Sequence, residues 1–265
     1  MKLKISHTTK YTYDAPVLYG LQQVRLIPAS DRHQTVLNWK VDVIGGDEEL
    51  TFFDQYRNKC MLIKAHDGAT EMELTVSGDI ETHSSDGIYG MVYGAAPLWH
   101  FVQATERTRA GPGIQALSKL ITNTAGSLEE LHRLSAAILA ATPYIQTATT
   151  VATTAEDALS AGGGVCQDHA QIFIATLRCA GIPARYVSGY LMMDDRIDQD
   201  ASHAWAEAHV DGLGWVAFDV SNGISPDERY VRLATGRDSK DAAPVSGMTL
   251  GNALETMHVS LQVQQ

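Results

Sequence analysis

The chain has 265 residues, 45% of them apolar and 19% charged, which is ordinary for a soluble protein of one large or two smaller domains. Its 31 acidic and 20 basic side chains give a formal net charge of −11, which disfavours nucleic acid or an anionic membrane as partner. The N-terminus lacks the apolar run of a signal peptide, and no stretch approaches the roughly 20 apolar residues of a membrane span. Three irregularly spaced cysteines disfavour a disulfide framework, so we expect a cytoplasmic protein.

Residues 1–98 are predicted to form an N-terminal, antiparallel β-sandwich-like domain. Several stretches alternate between apolar and polar residues, most clearly TEMELTVSGDIE, in which Met72, Leu74 and Val76 share one face. Glycine-containing pairs such as Asp67-Gly68 mark the turns between these stretches. This region has no cluster of catalytic residue types.

The pattern becomes helical from about residue 98 to 143. Ser127 and Glu130 have the spacing of a capping box at the start of a helix that ends before Pro143. The polar stretch 147–157 is rich in small and β-branched residues, so an extended or loop conformation is predicted there.

The strongest helix signal follows Cys166. Apolar residues recur at helical spacing up to Gly181 and Pro183, which end the segment. Alternating or β-branched stretches then predict strands over 184–191, 203–210 and 214–220, with another at HVSLQV near the C-terminus. Residues 99–265 are therefore predicted to be an α+β core, with helices packed on an antiparallel sheet and a C-terminal strand.

Cys166 stands out because it lies where this helix begins. Free amides and the positive end of the helix dipole favour a thiolate there, and thiolate is the reactive form of cysteine. The glycines at 162–164 let the chain turn sharply and a substrate approach closely. The alternative is a small apolar residue without a chemical role, which is the interpretation we adopt for Cys60 and Cys179; Cys179, late on the helix, is expected to be a packing or a surface residue.

A cysteine nucleophile needs a base and a group that orients the base, and two later residues are candidates. His203 starts one predicted strand, with Trp205, Glu207 and His209 on the same face. Asp219 lies near the end of the next strand. The two side chains share a face only if the connecting turn has an odd length or a bulge.

These motifs resemble those of the transglutaminase-like superfamily. GGGVCQDHA opens the helix and is followed by GIPAR, then HAW, then FDVSNG, as in the family's G-x-C-x-[DE], G-I-P-A-R, H-A-W and F-D-P-[ST]. The similarity covers about residues 125–235. HTTKYTYDAPV, LQQVRLIPAS and DQYRNK resemble the β-domain that precedes this core in bacterial members.

The resemblance implies a papain-like triad in which Cys166 is the nucleophile, His203 the general base and acid, and Asp219 the orienting group. It favours a peptidase or amidase that acts on a peptide or protein substrate through a thioester. Transfer of the acyl group to an amine and a non-catalytic binding module are the alternatives. The sequence departs from the family pattern at Val220, where proline is usual, and at His169, where an aromatic residue is frequent.

Three further residues are predicted to contact the substrate. They are Gly164, Gln167 and Trp205. No cofactor and no metal are expected. The alternative of a metal site would use Cys166, His169, His203 and His209, but the chain has no second C-x-x-C or H-x-x-x-H pair.

Overall fold

The computed structural model describes residues 1–91, 96–199 and 201–265. The strands before the first helix are the predicted β-rich region. They are β1 (Lys2–Tyr13), β2 (Tyr19–Ile27), β3 (Gln34–Ile44), β4 (Gly46–Phe53), β5 (Lys59–Ala65), β6 (Glu71–Thr82) and β7 (Ile88–Gly90). The later strands are β8 (Ala184–Leu191), β9 (Asp198–Gln199), β10 (His203–Val210), β11 (Gly214–Phe218), β12 (Tyr230–Gly236), β13 (Val245–Leu250) and β14 (Glu255–Gln264).

Two antiparallel sheets enclose one hydrophobic cluster at the N-terminal end of the fold. One has the strand order β3-β6-β1-β14-β9 and the other β13-β2-β5-β4. Met72, Leu74 and Val76 are all buried in this cluster, as their alternation predicts. The apolar face of β1 joins them through Leu3 and Ile5, because every second residue of a strand points to the same side.

The helices lie between β7 and β8. A short 3-10 turn (Leu98–Phe101) is followed by α1 (Pro112–Ser118), α2 (Leu128–Ala141), α3 (Ala155–Ala161) and α4 (Cys166–Cys179). The prediction of a loop over 147–157 is wrong at its end, because Thr154 accepts a hydrogen bond from the amide of Asp157 and so caps α3.

The capping box predicted at α2 is also wrong in its details. Ser127 is the N-cap residue, but its side chain makes no capping hydrogen bond. Glu130 instead accepts from the backbone amides of Thr122 and Asn123, at 3.0 and 3.1 Å. The amides of Thr122 and Asn123 lie in the loop before α2 and have no partner within a helix. The carboxylate of Glu130 therefore stabilises this loop and does not cap the first turn of α2.

A third antiparallel sheet, of order β12-β8-β10-β11-β7, carries the helices on one side. The even-numbered residues of β10 face α4 in a second hydrophobic cluster that includes Ala204, Ala206 and Ala208. Their small side chains let the helix approach the sheet closely. Trp205 points to the opposite side, into a separate small cluster with Tyr230.

Antiparallel sheets and helices confirm the predicted α+β class for the residues that the structure describes. The N-terminal sandwich is confirmed only in part, since its two sheets also contain the C-terminal strands β13 and β14. Conversely, β7 pairs with β11 of the third sheet. The division of the chain at residue 98 stays a prediction. None of the helices in the described ranges is long and apolar enough to span a membrane.

Candidate active site

The start of α4 is held by the chain that precedes it. Gly164 forms a parallel bridge with Tyr144, and its carbonyl accepts from the amide of Ile145 at 2.8 Å. Cys166 is the first residue of the helix and is half-buried. Its side chain therefore lies beside first-turn amides that have no partner within the helix, as the sequence predicted.

The carboxylate of Asp168 caps the start of α4 from the first turn of the helix. Its Oδ2 accepts from the amide of Val165 at 2.9 Å and from the hydroxyl of Thr149 at 2.6 Å. The acidic residue of the G-x-C-x-[DE] pattern thus has a structural explanation, because a carboxylate two residues after the cysteine can reach back over the first turn.

Gly164 is explained by the same carboxylate. A β-carbon at this position would lie 2.8 Å from Cβ of Asp168, so no larger residue fits. Gly164 is buried and is not among the residues that line the cleft beside Cys166. Its predicted contact with substrate stays a prediction.

The hairpin of β10 and β11 places His203 and Asp219 on one face of the sheet. Val210 pairs with Gly214, so three residues form the turn, which is the odd length that the sequence analysis required. Nε2 of His203 lies 2.6 Å from Oδ2 of Asp219. Since a carboxylate only accepts, Nε2 carries the proton, which leaves Nδ1 free to exchange a proton with Cys166.

Two further residues, neither of them predicted from the sequence, form hydrogen bonds to Asp219. Nδ2 of Asn222 and the hydroxyl of Tyr230 each donate to Oδ2 of Asp219 at 2.7 Å. Asp219 is fully buried, which would raise its pKa, but the hydrogen bonds from His203, Asn222 and Tyr230 hold that pKa below its usual value. Asn222 could have been found as the polar residue of the turn that follows FDV; Tyr230 carries no such signal.

His203 is 7% exposed and is surrounded by groups that favour its charged form. Burial alone would lower its pKa. The negative charge of Cys166 as thiolate and the hydrogen bond to Asp219 outweigh burial and raise the pKa of His203 to about 10. His203 is therefore protonated at neutral pH.

Cys166 and His203 lie where two arms of a surface cleft meet. The first, which we call the sandwich arm, has a volume of about 530 Å³ and is bounded by β1, β14, α4 and the segment 239–245. The second, the loop arm, has a volume of about 960 Å³ and is bounded by the segment 191–199 and by Tyr144. An extended substrate could thus occupy both sides of the thiol.

Gln167 and Trp205, the other predicted substrate contacts, lie in different places. Gln167 lines the sandwich arm next to Cys166. Trp205 is buried, with its ring 5.5 Å from that of Tyr230, and lines neither arm. Its ring instead packs against Tyr230, which donates a hydrogen bond to Asp219.

His169 also has a structural explanation. Its Nε2 donates to the carbonyl of Thr142 at 2.6 Å, and its Nδ1 accepts from the hydroxyl of Ser221 at 2.7 Å. The ring is fully buried, and this burial lowers its pKa. His169 is therefore a neutral imidazole that links α4 to the C-terminal end of α2 and to the turn that follows Asp219.

The side chains considered as metal ligands do not converge. His209 stacks edge-on against Trp215, and both nitrogens of His169 are occupied by hydrogen bonds. Over residues 1–91, 96–199 and 201–265, no group of three or more His, Cys, Asp or Glu side chains could hold a metal ion. The other two cysteines are free thiols, Cys60 in the buried core and Cys179 exposed at the end of α4.

Comparison with family models identifies both parts of the chain. Residues 114–220 match the transglutaminase-like superfamily, and residues 3–81 match the bacterial transglutaminase-like N-terminal region. The first match contains every residue of the candidate triad.

Similar proteins are found in several bacteria. An uncharacterized protein of Mycobacterium leprae is 28% identical over 99% of this chain and 98% of its own length. An uncharacterized protein of Mycobacterium tuberculosis is 38% identical over 48% of this chain and 43% of its own length. A solved structure from Cytophaga hutchinsonii, provisionally called a cysteine protease, has a TM-score of 0.76 at 24% identity and covers 100% of this chain and 91% of its own. That likeness shows the fold.

Proposed function

Because this chain belongs to the transglutaminase-like superfamily, with the bacterial N-terminal region ahead of the core, we propose that it is a cysteine-dependent amide hydrolase acting on peptides or proteins. The observation that carries the proposal is the hydrogen bond of 2.6 Å between His203 and the buried Asp219, in a cleft that Cys166 also lines. A histidine oriented in this way next to a helix-start thiol is the arrangement that nucleophilic catalysis requires.

The first half of the reaction forms a thioester. The thiolate of Cys166 attacks the amide carbonyl carbon, and the negative charge that develops on the carbonyl oxygen is stabilised by the free amide of Cys166. Protonated His203 donates its proton to the leaving nitrogen as the carbon–nitrogen bond breaks. The amine product leaves, and the acyl group remains on the sulfur.

The second half releases the acyl group. His203, now neutral, takes a proton from water as the water oxygen attacks the thioester carbonyl. Collapse of the intermediate expels the thiolate and gives a carboxylic acid, and His203 is again protonated. Asp219 stays ionised throughout and keeps the imidazole in one orientation, helped by Asn222 and Tyr230.

The test compares wild-type protein with Cys166→Ala on a panel of peptide amides, with and without a primary amine such as a lysine derivative. Hydrolysis that is lost in Cys166→Ala supports the proposal, while Cys179→Ala serves as a control because that thiol is exposed and remote in the helix. A product that contains the amine would assign acyl transfer instead.

Alkylation by iodoacetamide tests the thiol independently of any substrate. Cys166 should react rapidly in the wild type and more slowly in His203→Gln, because the imidazolium stabilises the thiolate. A thiol that reacts at the same slow rate in both proteins, together with no turnover, would leave a non-catalytic binding module as the better assignment.

A further inference from the structure

The sandwich arm differs from the protein as a whole in its charge. Two basic residues, Arg107 and Lys240, line it, whereas none of the lining residues that the structure describes is Asp or Glu. The chain has a net charge of −11. A basic arm in an acidic protein marks a local preference for anions, because a cleft with low-dielectric walls concentrates the field of the charges that line it.

Neither cation is neutralised within the described part of the chain. No ion pair or side-chain hydrogen bond is formed by either side chain. Both positions are nevertheless fixed through the backbone. The carbonyl of Arg107 accepts from the amide of Ala155, and the amide of Lys240 donates to the buried Asp238.

The loop arm has the opposite character. Its three aspartates, Asp194, Asp195 and Asp198, outnumber its two arginines. Arg196 is paired with Asp195 at 3.3 Å, and Arg229 is paired with Asp227 at 2.6 Å and with Asp194 at 3.8 Å. Among the arginine and lysine side chains that line the cleft in the described part of the chain, only Arg107 and Lys240 are therefore unpaired, and both lie on the sandwich side of the thiol.

The walls of the sandwich arm supply apolar contacts for the rest of the ligand. They include Tyr186 and Val165 of the core and Met257 and Val259 of β14. Cys166 and His203 line the same arm, so one substrate can place a carboxylate in it while its amide lies at the thiol. Its volume of about 530 Å³ is in the range of sites that bind small ligands.

We propose that the sandwich arm binds a carboxylate of the substrate through Arg107 and Lys240, so that the preferred substrates are peptides that present a carboxylate to this arm. This inference rests on the proposed function, since it gives the substrate class of the same site. The carboxylate is either a glutamate or aspartate side chain or the free C-terminus of a peptide. In both cases the N-terminal sandwich takes part in recognition, because β1 and β14 form one wall of the arm.

The experiment measures peptide binding to the Cys166→Ala protein by fluorescence anisotropy. Three labelled heptapeptide pools have randomised, non-acidic flanks and differ in one feature. The first has a central glutamate and an amidated C-terminus, the second a central glutamine and an amidated C-terminus, and the third a central glutamine and a free C-terminal carboxylate. The same pools are titrated against Arg107→Gln/Lys240→Gln and against the control Arg109→Gln/Lys119→Gln, whose residues are exposed and outside the cleft.

At least one carboxylate pool should bind roughly threefold to tenfold more tightly than the neutral pool, the size expected for two partly exposed charge contacts. The preference should disappear in Arg107→Gln/Lys240→Gln and persist in the control. The first pool reports a side-chain carboxylate and the third a terminal one. Equal binding of all pools, no detectable binding of any, or a preference that survives in Arg107→Gln/Lys240→Gln would overturn the proposal.

Turnover by the wild type separates this inference from the proposed function. If all three pools are cleaved with the same kcat/KM and cleavage is lost in Cys166→Ala, the hydrolase assignment stands and the carboxylate preference is wrong. If the carboxylate pools bind more tightly but no pool is ever turned over, the binding preference stands and the hydrolase assignment is wrong.

Discussion

Replacing Asp219 by asparagine tests how His203 retains its proton. The pKa of His203 is about 10 instead of its ordinary 6.5, a change on the order of 5 kcal/mol that Cys166 and Asp219 share. Asparagine keeps the shape of the side chain but removes its negative charge. We therefore expect the pKa of His203 to fall by about 1–2 units in Asp219→Asn, since each unit corresponds to about 1.4 kcal/mol.

The assay is a titration of the His203 ring signals by NMR, assigned by their loss in His203→Gln. The alkaline limb of kcat/KM should move down by the same amount, because it reports the same ionisation in the free enzyme. Asp211→Asn, in the exposed turn of the hairpin, is the matched control and should leave His203 unchanged. A pKa near 6.5 in the wild type, or no change in Asp219→Asn, would refute the reasoning.

The raised pKa also has a consequence for stability. Folded His203 holds its proton more tightly than unfolded His203, so its contribution to the free energy of unfolding is complete below pH 6.5 and is lost as the pH rises through about 10. In His203→Gln this part of the alkaline loss of stability should be absent, as measured by urea unfolding between pH 7 and 10.

Three further predictions concern buried residues, one of them with Gly68→Ala as its control. His169→Phe should lower the free energy of unfolding by about 1–3 kcal/mol in urea titrations, because the buried carbonyl of Thr142 and the half-buried hydroxyl of Ser221 lose their partner. An unchanged midpoint would contradict the role given to this histidine. Gly189→Ala should lower the free energy of unfolding by about 3 kcal/mol, since a β-carbon would overlap the carbonyl of Val231 and the ring of Trp205. In the control Gly68→Ala, the β-carbon has open space but the backbone has a positive φ, so the free energy of unfolding should fall by only about 1 kcal/mol. Burial lowers the pKa of His7 to about 4. As the pH falls, the unfolded chain therefore binds a proton at this residue before the folded protein does. The free energy of unfolding should fall between pH 6.5 and 4 by up to about 3 kcal/mol. In His7→Gln this acid dependence should be weaker in thermal melts, and an identical pH slope in both proteins would show that another group is responsible.

Much of the local structure could be predicted from the sequence. The apolar spacing after Cys166 predicts α4, and the alternation around Met72 predicts β6, because each depends on neighbours a few residues apart. The caps were predicted less well. Glu130 has the correct spacing for a capping box, yet tertiary contacts bring the loop amides of Thr122 and Asn123 closer to it.

The candidate triad could be predicted in part. The motifs indicate Cys166, His203 and Asp219, but whether the last two meet depends on the length of one turn, which the sequence left open. Tyr230 could not be predicted, because β12 reaches Asp219 only through the order of strands in the sheet. His169 was ambiguous for the same reason, since its partners Thr142 and Ser221 are distant in sequence.

The sequence alone determined where the helix begins, which side chains can do chemistry there and which faces of the strands are apolar. These properties follow from the periodicity of the backbone and from the chemistry of single residues. The tertiary structure decided which of those side chains meet and what surrounds them. It brings β14 beside β1 and so makes the N-terminal sandwich a wall of the cleft, because strand pairing joins segments that are about 250 residues apart in the chain.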